Sequence, residues 1–151
     1  MSLHAAYIDS PIGWIEIKGN ELGVSSVLFL ENMPKKNVDV HPLLKNVAAQ
    51  LEEYFAGKRT FFDVKINLEG SDFQKNVWRK LCEIPFGKTL SYLDIALALG
   101  DKNATRAIGN ANGKNPISII VPCHRVIGKS GKLVGYACGL SRKQWLIHHE
   151  K

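Results

Sequence analysis

With 151 residues, 45% hydrophobic and 23% charged, the chain is sized and composed for one globular domain, or a main domain with a small companion, and not for a disordered or low-complexity protein. No apolar run approaches the ~20 residues of a membrane helix, and the polar, mixed first ten residues carry no visible secretory signal, so a cytoplasmic monomer without a membrane partner is expected. The net charge of +6 is unevenly placed: residues 1–70 hold 7 Lys/Arg against 9 Asp/Glu, and residues 71–151 hold 13 against 5. A basic excess confined to one half suggests a polyanion partner for that half.

Residues 5–30 read as antiparallel strands. Trp14 to Lys18 alternates apolar and polar as a half-buried strand does, between turn signals at Pro11-Ile12-Gly13 and Gly19-Asn20, and Gly23 to Leu30 forms the second strand. Residues 31–41 are a polar loop. Leu44, Val47, Ala48, Leu51, Tyr54 and Phe55 recur at helical spacing over 42–56, with Pro42 in the first turn and Gly57 as the stop. Phe61 to Ile66 is a further strand or an extended linker, and Asn67 to Gly70 marks a junction. No catalytic residue type is singled out in this half, which reads as a scaffold.

From Ser71 the chain turns helical. Ser71 with Gln74, and Ser141 with Gln144, form capping-box patterns; Ser91 is an N-cap with Asp94 at the third helical position. The spacing predicts one helix with Phe73, Val77 and Leu81 on one face, a second from Ser91 to Leu99, and a third from near Asn103 to Gly113, the last two joined by a short turn around Gly100. That is a helix-turn-helix arrangement. On the third helix Ala104, Ala107 and Gly109 are small and Arg106 projects among them, a surface that lets a backbone approach DNA closely. A helix packed on a neighbour, with Arg106 in a surface ion pair, has the same composition. The fold class expected is α/β in the α+β sense: an N-terminal antiparallel sheet plus helix over 1–70, then a mainly helical domain over 71–151.

Ile119-Ile120-Val121 runs into Pro122, Cys123 and His124, which predicts a short buried strand delivering Cys123 to a rigid bend. A thiol is a few per cent thiolate at neutral pH unless a base or cation intervenes, and His124 and Arg125 are the nearest candidates. An inert core cysteine fits the same residues. The three cysteines, Cys82, Cys123 and Cys138, have no C-x-x-C spacing, so neither a disulfide framework nor a cysteine zinc site is indicated. No metal and no cofactor is expected.

The run from Asn115-Pro116-Ile117-Ser118 through Pro122-Cys123-His124-Arg125-Val126, then Gly131 to Leu140 and Lys143-Gln144-Trp145-Leu146 to Glu150, closely resembles the C-terminal domain of the O6-alkylguanine-DNA alkyltransferases. The resemblance is strong from about Ser71 onward and implies a set of roles. Cys123 is the nucleophile, activated by His124 and Glu150 through a water. Asn115 ties the recognition helix to the active-site segment. Tyr92 crowds the target phosphate and donates to guanine N3, and Arg106 fills the gap left by the flipped base. Ala104, Ala107, Gly109 and Arg125 complete the DNA-facing set. The carbonyls of Cys123 and Val126 and the amide of Ala137 read the base, with Tyr136 as a wall. Cys138 stands where relatives commonly have glycine, and its side chain is expected to narrow the pocket against bulky substituents. The partner implied is double-stranded DNA carrying O6-alkylguanine, with O4-alkylthymine as a further substrate, and the activity is a single-turnover methylated-DNA–protein-cysteine S-methyltransferase. Two other classes are compatible with the residues alone: a DNA-binding regulator with a structural Cys-His pair, and a hydrolase using Cys123, His124 and Glu150.

Overall fold

The apolar–polar alternation through Trp14 to Lys18 becomes the middle strand of a three-stranded antiparallel sheet. In this computed structural model, which describes residues 2–34, 40–128 and 139–151, the sheet order is β1 (His4–Ile8), β2 (Ile15–Asn20), β3 (Gly23–Phe29). Ile15 and Ile17 of β2, Ala6 and Ile8 of β1, and Val24 and Val27 of β3 are buried. Because side chains alternate across a strand, this face meets one amphipathic helix. That helix is α1 (Pro42–Phe55), which buries Leu44, Val47, Leu51 and Tyr54. His41 caps its start, accepting from the Leu43 amide. Residues 61–66 form no full strand; only Ile66 makes a single parallel bridge, to Val24.

The chain divides into two compact units, Met1–Glu69 and Gly70–Lys151. The second begins with α2 (Asp72–Leu81), whose Ser71–Gln74 capping box forms as the sequence indicates. Val77, Trp78 and Leu81 are its buried residues, whereas Phe73, expected on that face, is 40% exposed. The Trp78 indole donates to the Ala111 carbonyl at 2.9 Å, tying α2 to the helix that follows the turn.

Two residues of strand, β4 (Leu90–Ser91), lead into α3 (Tyr92–Ala98), again with a closed capping box at Ser91 and Asp94. Gly100, at φ +83°, supplies the left-handed residue that ends α3. After it comes α4 (Thr105–Gly113), packed on both α2 and α3. Cys123–Arg125 is a 3₁₀ turn, followed by β5 (Val126–Ile127), which pairs in parallel with β4. The last helix is α5 (Leu140–His149). Its expected Ser141–Gln144 capping box does not form: the helix starts two residues earlier than a Ser141 cap would set it, with Gly139 at the N-cap at φ +97° and no side-chain cap. Among the described residues no helix is long and apolar enough to cross a membrane.

Candidate active site

The segment before Cys123 is not the buried strand its β-branched run predicts. Residues 117–121 are a compact series of turns, with Val121 N–H donating to the Ile117 carbonyl and Ile120 N–H to that of Ser118. Ile119 sits at φ +72°, a region costly for a β-branched side chain, yet it is buried at 1% exposure. Asn115 holds this geometry. Its Nδ2 donates to the carbonyls of Val121 (2.8 Å) and Ile117 (3.3 Å), and its Oδ1 accepts from Ile117 N–H (3.0 Å). Side-chain bonding satisfies backbone groups that a strand would have paired across a ladder.

The 3₁₀ turn then fixes Cys123, His124 and Arg125, all buried. His124 Nε2 lies 2.7 Å from Glu150 Oε2. An ionised carboxylate only accepts, so Nε2 carries the proton and Nδ1 presents its lone pair. Nδ1 is buried and has no hydrogen-bond partner among the described residues. Burial holds the His124 pKa below the usual imidazole value, against the opposing pull of Glu150. Glu150 is already neutralised: Arg125 donates through Nε to Oε1 (2.8 Å) and through Nη2 to Oε2 (3.0 Å). A protonated imidazole would leave a net buried cation.

Glu150, one residue from the C-terminus, is only 4% exposed. Gly87 stands against it, its amide 3.5 Å from Oε1. A Cβ at Gly87 would lie 2.9 Å from the Glu150 carbonyl oxygen, and its φ is +81°, so a side chain is excluded twice over. Arg125, expected among the DNA contacts, is turned inward instead. Its fork is spent on Glu150, and its remaining Nη1 donates to the Ile84 carbonyl at 2.7 Å. Three of its five N–H groups are thus engaged inside the fold.

Two residues to which the sequence reading gives no role join this site. Asn112, buried on α4, donates from Nδ2 to the Cys123 carbonyl at 3.3 Å. It also bonds the Tyr92 hydroxyl. The Cys123 carbonyl additionally accepts from Val126 N–H, so it is already engaged on both sides. Burial raises the Tyr92 pKa, the Asn112 bond lowers it and the neighbouring Cys123 raises it, with a net upward shift that keeps the phenol protonated. The second residue is Lys143 on α5, fully buried, with Nζ 6.0 Å from the Tyr92 ring centroid. Desolvation lowers its pKa to about 8, while Cys123 pulls it upward, so sulfur and ammonium sense each other. The signal was legible in principle: Lys143, Leu146 and Glu150 fall at i, i+3 and i+7 of one helix, so the lysine occupies a core-facing position.

On α4, Arg106 and Ala107 are exposed, and Ala104 and Gly109 half-buried. Gly109 stands over the Tyr92 ring, where a Cβ would be in ordinary contact at 3.8 Å. The α4 surface, Tyr92, Cys123, His124, Glu150 and Asn115 are therefore parts of one unit. Val126 is buried in β5. Tyr136, Ala137 and Cys138 lie outside the described residues.

The family model described as the DNA binding domain of 6-O-methylguanine DNA methyltransferase matches residues 72–151, and that of its ribonuclease-like domain matches residues 3–68. The methylated-DNA–protein-cysteine methyltransferase of Methanosarcina barkeri is 48% identical, covering 95% of this chain and 94% of its own. That of Mycobacterium tuberculosis is 46% identical over 99% and 93%. The crystal structure of the M. tuberculosis O6-methylguanine methyltransferase superposes with a TM-score of 0.89 at 44% identity, over 99% of this chain and 93% of that one. The same organism's OGT in complex with DNA gives 0.89 at 47% identity, over 98% and 92%. Both halves of the fold and the full length of the chain thus place it in the methylated-DNA–protein-cysteine methyltransferase family.

Proposed function

We propose that this protein repairs DNA by moving the alkyl group of O6-alkylguanine, and of O4-alkylthymine, irreversibly onto Cys123, one lesion per molecule, after the damaged nucleotide has rotated out of the duplex. The observation that carries this reading is the buried chain Arg125–Glu150–His124, which orients an imidazole with its free lone pair on Nδ1 in the residue adjoining the thiol. The arrangement is that of a nucleophile, a base and an orienting carboxylate.

In this mechanism a water passes the Cys123 proton to Nδ1 of His124, and the Lys143 ammonium favours the thiolate left behind. Sulfur attacks the alkyl carbon in line; the carbon–O6 bond breaks and its electron pair stays with guanine. Tyr92, protonated as its raised pKa requires, donates to N3 and stabilises the departing base. The C–S bond has no second step to break it, so the protein is consumed.

The base must leave the stack first, at a cost of a few kcal/mol. Arg106, exposed on α4 among small residues, fills the vacated space, while Ala104, Ala107 and Gly109 let the helix approach. The Val126 carbonyl is the better base reader, since that of Cys123 already has two donors. Arg125 acts as a positioning residue for Glu150 rather than as a DNA contact. The DNA complex of a 47% identical relative supports DNA as the partner.

To test this, the protein is incubated with a duplex carrying one O6-methylguanine and weighed intact. The expected result is a gain of one methyl group in place of one hydrogen, absent in Cys123→Ala. Binding without a mass change would indicate a regulator, and turnover of an ester or peptide a hydrolase; either sinks the reading.

A further inference from the structure

Asn112 bonds two groups of the reactive centre, and the fold explains how it reaches both. It follows Ala111, whose carbonyl is pinned by the Trp78 indole at 2.9 Å, so the end of α4 that carries it is fixed. Gly109, one turn earlier on the same face of α4, stands over the Tyr92 ring. The ring thus lies against α4 where there is no side chain, and its hydroxyl end meets Asn112. Asn112 is only 2% exposed. One Nδ2 hydrogen goes to the Cys123 carbonyl at 3.3 Å, and the other meets the phenol oxygen. Turning the amide over would set Oδ1 against the Cys123 carbonyl oxygen, acceptor on acceptor, so the orientation is determined. Oδ1 is buried with no hydrogen-bond partner among the described residues, and the side chain acts here through its donors alone. A phenol oxygen that accepts from Asn112 cannot send its own proton back along the same line, and accepting one hydrogen bond strengthens the next one it donates.

We propose that Asn112 is a positioning residue for the transfer step: by donating to the Tyr92 oxygen from the same nitrogen that holds the Cys123 carbonyl, it aims the phenol proton at N3 of the flipped guanine and fixes that donor relative to the sulfur. This rests on the alkyl-transfer reading above. In the step itself sulfur bonds the alkyl carbon, the carbon–O6 bond breaks, and the electron pair that passes into the purine is stabilised by the Tyr92 hydrogen bond at N3. The thiol proton leaves by the His124 route already described. Tyr92 touches the base, and Asn112 acts only through Tyr92. A polar side chain that merely completes the core beside Cys123 would not distinguish a base that has N3 from one that lacks it.

The test measures the rate of methyl transfer to the full chain from two duplexes, one carrying O6-methylguanine and the other its 3-deaza analogue, in which N3 is replaced by C–H. A hydrogen bond that strengthens in the transition state is worth about tenfold in rate, so the wild type is expected to react about tenfold more slowly with the 3-deaza duplex. Asn112→Leu is close in volume and apolar; Asn112→Ser is shorter and polar. Both are expected to lose about tenfold on O6-methylguanine and little on the 3-deaza duplex, so that the ratio between the substrates falls toward one. In a Tyr92→Phe background Asn112→Leu is expected to slow transfer no further. Equal loss on both duplexes, or the same loss with and without the Tyr92 hydroxyl, would reduce Asn112 to packing and overturn the proposal while leaving methyl transfer itself intact. A wild type that transfers equally from both duplexes overturns it too. A wild type that accepts no methyl group from either overturns the alkyl-transfer reading and this proposal with it.

Discussion

Under the proposed mechanism Arg125 and Lys143 are the two cations that govern the reactive centre, and both are buried. Removing one partner of a buried ion pair leaves an uncompensated charge, a loss of about 3 kcal/mol. Arg125→Ala is therefore expected to lower stability in denaturant melts by that order and to slow transfer through a loosened Glu150, with DNA affinity little changed. An affinity loss without a stability loss would restore Arg125 to the DNA surface. Lys143 behaves differently. Its pKa is lowered to about 8 from an ordinary 10.5. A depressed folded value means the group favours folding above the unfolded pKa and loses that favour as pH falls through about 8. At neutral pH the buried ammonium is a cost to folding, and in the proposed mechanism it favours the thiolate. Lys143→Met is expected to fold at least as well at pH 7 but to transfer methyl more slowly, on the order of tenfold for each unit by which the thiol is no longer helped. The deficit should close as pH rises beyond the point where the wild-type lysine is itself neutral. A pH-independent deficit would mean that Lys143 only packs.

The elements carry a second set of consequences. Arg106 is exposed on α4 and makes no contribution to the packing of α2, α3 and α4, which rests on Trp78, Ile95, Ile108 and Ala111. Arg106→Ala should thus leave the melting temperature unchanged and lower transfer from duplex DNA by at least ~100-fold if unstacking must be stabilised by a few kcal/mol. Transfer from free O6-methylguanine should hold. Equal loss on both substrates would contradict a role in flipping. At this scale most of the architecture was legible. The capping boxes at Ser71 and Ser91 are local chemistry, and α1 to α4 begin within about two residues of where spacing and caps put them. The failures are equally physical. Ile119-Ile120-Val121 reads as a strand because β-branched residues favour one, but Asn115 satisfies backbone two and six residues further on with its side chain, and such bonding leaves no periodic trace. Ser141 reads as a cap because the motif is present, but α5 starts before it, at a glycine in the left-handed region. Within the site, Cys123, His124, Glu150, Asn115 and Tyr92 were reachable through resemblance. Asn112 was not singled out, because burial of a polar side chain is a property of the fold; for Lys143 the helical spacing to Leu146 and Glu150 carried the signal.

For the whole molecule, the basic excess of residues 71–151 resides in the unit that carries Cys123. If it meets phosphates, log affinity for DNA falls linearly with log salt, with a slope near −0.9 per phosphate neutralised. The expected slope corresponds to several phosphates, and isotherms at a series of salt concentrations measure it; a flat series would remove the electrostatic part of the account. The claim on which the rest depends is that one sulfur permanently accepts the alkyl group. It is tested most directly by titrating a fixed amount of protein with excess duplex carrying radiolabelled O6-methylguanine, then mapping the label by peptide. The account predicts a plateau at one methyl per chain, all of it on the peptide containing Cys123. Continued turnover beyond one equivalent, or label on Cys82 in place of Cys123, would contradict it.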